Sequence, residues 1–345
     1  MTATSASQPT RAMQVAEPGG TFSLIRTEMP TPGPGQVRIT VEACGVCHSD
    51  AMILSGQLPG TSFPVTAGHE IAGRIDTLGD GVTGWAAGDR VAVGWYGGSC
   101  GHCEACRVGD GVNCPELQIP GVAYPGGYAD AVVVPAVALA RIPDGLSAVE
   151  AAPLACAGVT VFNPLRRSAA RAGDLVAILG VGGLGHLGVQ FAAAMGLETV
   201  AIARGAEKGK LASELGARHY IDSTAQNVAE ELQKLGGAKV VLATVTNGEA
   251  MAATLDGLGR RGELIVVGAT PDELKVSGLQ LIAGTKKIYG HASGIAVDTE
   301  HTLRFAAQSG VRSWTEEAPL EEAGEAFDRM MSGAARFRMV LTTGN

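Results

Sequence analysis

Two rhythms of apolar and polar residues divide the chain. Over about the first 150 residues, the short β-branched runs QVRITVEACGV, EIAGRIDTLG, GDRVAVGW and YADAVVVPA are separated by turn residues. This pattern predicts strands of an all-β, barrel-like unit. The rhythm changes after Pro153. From Asp174 the apolar runs LVAILG, TVAIAR, HYIDS, KVVLATV, ELIVVGA and KKIYGHA alternate with the helical stretches LGHLGVQFAAAMG, EKGKLASELGA and NVAEELQKLG. Strands alternating with helices predict a doubly wound parallel sheet of the Rossmann type, so the fold class is α/β. The end of the chain turns polar and helical (TLRFAAQSG, EEAGEAFDRMMSG) and closes on one more apolar strand, FRMVLT. That strand has no place in the parallel sheet and is expected to return to the first unit. The expected division is therefore a barrel-like domain over 1–157, a dinucleotide-binding domain over 158–294 and a return segment over 295–345. The opening MTATSASQPTRAMQ reads as a polar lead-in without the apolar stretch of a secretion signal. No apolar run is expected to reach the ~18 residues that a membrane span needs.

Composition narrows the class. With 46% hydrophobic and 17% charged residues, the 345-residue chain reads as globular. A net charge of −8 and 4% aromatics argue against a basic, stacking surface for nucleic acid. The default home is the cytoplasm, where thiols stay reduced, so the seven cysteines are first candidates for metal or catalytic roles.

Cys100, Cys103, Cys106 and Cys114 follow the spacing C-x2-C-x2-C-x7-C on a glycine-rich loop with no apolar periodicity. Four thiolates suit one tetrahedral Zn²⁺ with no open position, which is a structural site. The alternative, two disulfides, is disfavoured by a reducing compartment. His102 within this run reads as a solvated loop residue. Upstream, Cys47 in CGVCHSD, His69 in AGHEIAG and Cys156 in APLACAGVT together offer two thiolates and an imidazole, a ligand set of catalytic zinc with a fourth position for substrate. Zn²⁺ with two thiolates is neutral and can accept an alkoxide. A metal that lowers a bound hydroxyl's pKa from ~15.7 to ~7 is worth roughly 12 kcal/mol of acidity. Cys44 reads as a core thiol, and His186, His219, His291 and His301 read as structural.

The run LVAILGVGGLGHLG sets Gly180, Gly182, Gly183, Leu184 and Gly185 between an apolar strand and a helix, the context in which glycines let a backbone approach a pyrophosphate. The next strand ends on Ala203 and Arg204, where NAD users carry an acid for the ribose 2′-hydroxyl. With no carboxylate at that point and a guanidinium beside it, NADP is expected over NAD. A charge-assisted bond of ~1.5–3 kcal/mol corresponds to roughly 10–150-fold in preference. Lys208 adds little to this choice.

Nearly the whole chain resembles the zinc-containing medium-chain alcohol dehydrogenases. The stretch from Gly68 reads G-H-E-x-x-G-x5-G-x2-V, the zinc signature of that family. CGVCHSD, the four-cysteine lobe and LACAGVT fall at the expected places. The resemblance implies a GroES-like catalytic domain joined to a Rossmann domain, with zinc at the cleft between them and two zincs per chain. It implies a small alcohol or aldehyde as substrate, a homo-dimer or homo-tetramer, and no membrane partner. By position, Cys47, His69 and Cys156 would bind catalytic zinc with Glu70 able to approach it. Ser49 would take the alcohol proton, Asp50 would orient His69, and His48 would face the pyrophosphate. Thr160 would lie near the nicotinamide, Val245 and Val267 would line the cleft, and Arg338 would reach the pyrophosphate. One departure stands out: many members end the proton relay on a His where this chain has Met52, leaving exit by the cofactor ribose and water, or through His48. Trp95, and Leu58 in place of a bulky Trp, imply a roomier apolar pocket for aromatic or longer aliphatic substrates. The rival readings are a polyol or sugar dehydrogenase on the same fold and a non-catalytic relative; the complete ligand sets argue against both.

Overall fold

The structure, a computed structural model, describes residues 9–345. It falls into two compact units. One holds the described residues through Cys156 with Gly294–Ala307 and Ser313–Asn345, and the other holds Ala157–Ser293 with Gln308–Arg312.

The first unit runs β1 (Thr10–Val15), β2 (Phe22–Thr27), β3 (Gln36–Gly45), α1 (His48–Leu54), β4 (Glu70–Leu78), β5 (Arg90–Val93), α2 (Glu104–Arg107), β6 (Ala131–Pro135), β7 (Ala140–Arg141) and α3 (Ala148–Pro153). The second runs α4 (Val159–Arg167), β8 (Leu175–Leu179), α5 (Gly185–Ala194), β9 (Glu198–Ala203), α6 (Lys208–Glu214), β10 (His219–Asp222), α7 (Val228–Lys234), β11 (Ala238–Ala243), α8 (Gly248–Ala253), β12 (Leu258–Val266), α9 (Gly278–Ile282) and β13 (Lys287–Gly290). The chain then returns to the first unit with α10 (Ala296–Ser309), β14 (Thr315–Pro319), α11 (Ala323–Met331) and β15 (Arg338–Thr342).

The organising strand of the first unit is β3. Its alternation buries Val37, Ile39 and Val41 completely while Arg38 and Thr40 stay half-buried, the period-2 pattern of a strand with one face on a core. One edge pairs antiparallel with β4 along its length, from Val37 opposite Leu78 to Gly45 opposite Glu70. The other edge is shared: β6 takes Gln36–Thr40 and β15 takes Ala43–Gly45. FRMVLT thus completes the sheet beside the residues that lead into Cys47.

In the second unit the strands pair in the order β10-β9-β8-β11-β12-β13, all parallel. All five residues of β8 are buried, as expected for a central strand covered on both faces. The order reverses between β8 and β11, the switch point at which doubly wound sheets bind nucleotides.

Three expectations need correction. From Thr10 the expected polar lead-in is strand β1, in a hairpin with β2; residues 1–8 of that lead-in lie outside the described residues. Met13 and Val15 are buried, and the Arg11 guanidinium lies 2.7 Å from Asp130 and also pairs with Glu321, so distant partners order a stretch that reads as polar. The return segment, read as helical until its last strand, contains a further strand in TEEAP, β14, parallel to β15. Finally, one helical run, Ala148–Arg167, is 20 residues long and apolar enough to cross a membrane by length and composition. It runs on through the π-turn Leu154–Gly158 despite Pro153 and Gly158, and 83% of its window is buried inside the protein, as in a core helix.

Candidate metal and cofactor sites

The chain leaves β3 at Gly45 and reaches Cys47, which caps the N-terminus of α1. His48, Ser49 and Asp50 form its first turn. Asp50 is an acid at the helix start, where the unpaired amides favour it, and its Oδ2 accepts the Cys47 N–H at 2.9 Å. His69 stands one residue before β4, after Gly68, whose φ of +102° only glycine adopts readily. Cys156 sits in the π-turn, an insertion that re-aims one side chain out of a helical run.

These three ligand candidates and Glu70 meet in the first unit. Their ligand atoms all lie within 4.8 Å of one another, and all four residues are buried. Cys47 Sγ is 4.0 Å from Cys156 Sγ, and Cys156 Sγ is 3.4 Å from His69 Nε2. A tetrahedral zinc with ordinary bond lengths sets such separations at roughly 3.8 and 3.5 Å, so the donor set fits the ion. The Oε2 of Glu70 is buried with no hydrogen-bond partner, an orphan acceptor beside the same cluster. His69 Nδ1 meets Asp50 Oδ1 at 2.9 Å, which leaves Nε2 for a metal.

Without a metal the cluster holds its protons unevenly, and a cation would have to displace those on His69 and Cys156. The hydrogen bond with Cys156 pulls the Cys47 thiol well below its ordinary range, and that same bond, with burial, pushes Cys156 up. Burial pulls the His69 imidazolium down, yet the charges of Asp50 and Cys47 outweigh it and lift its pKa well above the ordinary value. Burial pushes Glu70 up to about 7 against the opposing pull of Arg338.

Arg338, implied at the pyrophosphate, is 4% exposed and ion-paired through Nη2 with Glu70 Oε1, so its guanidinium stands at the ligand cluster. His48 is exposed and Ser49 half-buried, while Met52, one turn after His48, is exposed on the same helix. The Trp95 ring packs edge-on against the His69 ring, with centroids 5.0 Å apart and planes at 90°. Leu58 is partly buried against the core of the first unit. Cys44, not in the set, is a fully buried thiol whose pKa burial drives well up.

The lobe gathers Cys100, Cys103, Cys106 and Cys114 into a second set within 4.8 Å. Sulfur separations of 4.0 Å (Cys100–Cys106), 3.8 Å (Cys103–Cys114) and 3.6 Å (Cys100–Cys114) are far beyond an S–S bond and match the edges of a zinc tetrahedron. The amides of Cys103, Cys106 and Glu116 donate to Cys100, Cys103 and Cys114 Sγ at 3.3–3.5 Å, the direction that favours thiolates. His102 is exposed, with Nδ1 on the Cys100 carbonyl.

In the second unit the glycine turn follows β8. Gly180 has φ +96°, and a Cβ there would meet Val245 Cγ1 at 2.6 Å. A Cβ on Gly185 would lie 1.8 Å from the Gly180 oxygen, so this glycine packs helix on strand. Gly182 differs: a Cβ there meets nothing within 4 Å. Packing does not require that glycine; an open backbone at a helix N-terminus suits a pyrophosphate. Gly183 and Leu184 complete the turn into α5, and Thr160 lies in the first turn of α4. Val245 and Val267 follow β11 and β12, both half-buried. At the end of β9, Ala203 is buried, Arg204 exposed and Lys208 half-buried.

No carboxylate occupies the strand end, and two acids stand around the turn that follows it. Glu207 folds back so that its carboxylate oxygens lie 2.3 Å from a Cβ position on Gly205, and Asp222 Oδ1 accepts the Gly205 N–H at 2.9 Å. Neither is adjacent to the strand end in sequence; the turn and the neighbouring strand bring them there.

Residues 33–144 match the family described as "Alcohol dehydrogenase GroES-like domain", and residues 183–308 match "Zinc-binding dehydrogenase". The chain is 42% identical over 311 residues to an alcohol dehydrogenase of Aspergillus sp. (strain MF297-2), covering 90% of this chain and 91% of that one. The chain belongs to the zinc-containing medium-chain alcohol dehydrogenase family. An alcohol dehydrogenase of Geobacillus stearothermophilus is 38% identical over 91% of this chain and 94% of its own. Among solved structures, cinnamyl alcohol dehydrogenase from Sorghum bicolor superposes with TM-score 0.88 at 30% identity, covering 97% of this chain and 98% of that one. This family member is accordingly an oxidoreductase, a zinc alcohol dehydrogenase that uses a nicotinamide cofactor and a small alcohol or aldehyde.

Two features of the first unit escape sequence pattern. The Glu70–Arg338 pair joins residues 268 positions apart. Tyr128, buried in the core, donates its hydroxyl to Asp50 Oδ2 at 2.9 Å, and GGYAD carries no spacing that marks it.

Proposed function

We propose that this enzyme reduces aromatic and longer aliphatic aldehydes, and oxidises the matching primary alcohols, with NADP(H) preferred over NAD(H). The observation that carries the zinc-dehydrogenase chemistry of this reading is the convergence of Cys47, His69, Cys156 and Glu70 on one point with zinc-like separations. Cys47, His69 and Cys156 would hold a zinc ion whose Lewis acidity would make an alcohol proton easy to remove, with a nicotinamide cofactor as the hydride partner. Ser49 on α1 accepts that proton. Asp50 holds the His69 ring in the tautomer that leaves Nε2 free, and its second oxygen fixes the backbone of Cys47. Glu70, held by Arg338, keeps a carboxylate beside the ligands. Met52 carries no proton, so His48, one turn earlier on α1, is the group on that face able to pass it on. Cys100, Cys103, Cys106 and Cys114 would hold a second zinc, which would brace a loop that has no apolar core of its own.

The turn Gly180, Gly182, Gly183, Leu184 and Gly185 receives the pyrophosphate, with Thr160, Val245 and Val267 toward the nicotinamide. Arg204 carries the NADP preference, because an exposed guanidinium after β9 can pair with a 2′-phosphate. Glu207 opposes it. Arg204→Ala is expected to lower the NADPH/NADH ratio of kcat/KM by about 10–100-fold, and Glu207→Gln to raise it. A wild-type enzyme equally fast with NADH overturns the preference and leaves the dehydrogenase standing. The substrate class rests on Trp95 beside His69 and on the likeness to a cinnamyl alcohol dehydrogenase. In an aldehyde series of rising size, acetaldehyde giving the highest kcat/KM would sink it. Seven free thiols, most of them in ligand sets, favour the reducing cytoplasm. The open edge of β13, with Leu279 74% and Ile282 77% exposed nearby in sequence on α9, favours a homo-dimer or homo-tetramer.

A further inference from the structure

The metal ligands of the first unit share one anchor, and that anchor is itself held from the core. Asp50 is fully buried and uses both oxygens: Oδ1 meets His69 Nδ1, and Oδ2 accepts from the Cys47 amide and from the Tyr128 hydroxyl, each at 2.9 Å. One carboxylate therefore fixes an imidazole ligand through its ring and a thiolate ligand through its backbone. A buried carboxylate has about four acceptor sites, and burial makes each unfilled one costly. The Tyr128 hydroxyl fills a third and restrains the carboxylate from the core side. Among the described residues the Tyr128 hydroxyl has no hydrogen-bond partner besides Asp50, and its ring is fully buried.

The surrounding chain is shaped to let that ring through. A Cβ on Gly68, the residue before His69, would lie 2.4 Å from Tyr128 Cδ1. The Tyr128 amide donates to the Ala67 carbonyl at 3.0 Å, its carbonyl accepts from Met13, and its ring packs 6.0 Å from Phe22. The tyrosine thus enters from the rigid core, passes beneath the segment that carries His69, and ends on Asp50.

We propose that Tyr128 is a positioning residue for the catalytic metal, acting through Asp50 on His69 and Cys47 together. The inference rests on the reading of Cys47, His69 and Cys156 as zinc ligands. Loss of an outer partner of this kind costs metal affinity about 10–100-fold. Tyr128→Phe removes one oxygen and keeps the ring, so it isolates the hydrogen bond from the packing.

The test is chelator titration of zinc-loaded wild type and Tyr128→Phe, counting metal released, with the four-thiol lobe as the internal control. The expected result is release from the Cys47/His69/Cys156 site at about 10–100-fold lower chelator, unchanged release from the lobe, and an almost unchanged Tm of the metal-free protein. A fall in metal-free Tm with unchanged zinc release assigns Tyr128 to packing alone and overturns the proposal. Asp50→Asn supplies the second arm: in that background Tyr128→Phe should add little, and fully additive losses also overturn it. If the wild type itself holds zinc only in the lobe, the ligand reading fails first, and the wild-type count shows which of the two has failed.

Discussion

At the scale of single residues, two glycines separate packing from binding. Gly68 combines a φ of +102° with a Cβ position 2.4 Å from the Tyr128 ring, so a methyl there meets both strain and overlap. Gly68→Ala is expected to lower stability by about 2–5 kcal/mol, summing backbone strain and overpacking. Gly182 has ordinary room for a methyl in the protein alone. Gly182→Ala should leave Tm unchanged and weaken dinucleotide binding, which a fluorescence titration of NADPH would read. If both substitutions lowered Tm alike, the distinction between them would be lost. The seven candidate thiol and imidazole ligands were legible because each sits in a short motif. Asp50 was legible through its place after Cys47. Tyr128, Arg338 beside Glu70, and Glu207 beside Gly205 were not, since each acts through a contact that only the folded chain creates.

At the scale of elements, apolar period gave the six parallel strands and the glycine turn after β8, because buried strands need continuous apolar runs. Strands held by charge were hidden. β1 is ordered by Arg11 reaching Asp130 and Glu321, and β14 is an edge strand of sequence TEEAP. Glu316 on β14 pairs with Arg329 on α11 at 2.5 Å and accepts the Arg336 amide. The Arg329 hydrogen bond, foremost, holds the Glu316 carboxyl below its ordinary pKa of 4.5 in the folded state. A depressed carboxyl pKa means that its stabilisation is complete above the unfolded value and is lost as pH falls through the folded one. Glu316→Gln should therefore lower Tm at pH 7, with the difference from wild type closing as pH is taken down to about 3. A difference that persists unchanged at low pH would assign the loss to packing.

At the scale of the whole molecule, the first unit is built from both ends of the sequence, whereas the second is nearly continuous. Removing residues 333–345 takes away β15, and with it Arg338 and the partner of Ala43–Gly45. The expected outcome is loss of the first unit's cooperative thermal transition and of the zinc at Cys47, His69 and Cys156, while the second unit's helical signal survives. Retention of that zinc by the truncated protein would show that β15 merely covers a site formed without it.

This arrangement sets an order of events on the ribosome. Chain elongation proceeds at about 5–20 residues per second, so the wait between making β3 and making β15 is on the order of 15–60 s. Through that interval the nascent chain already displays Cys47 and His69, yet the strand that walls them in has not been synthesised. If zinc capture at Cys47, His69 and Cys156 needs β15, as the truncation tests, those thiols stay without metal and open to oxidants until that strand is made.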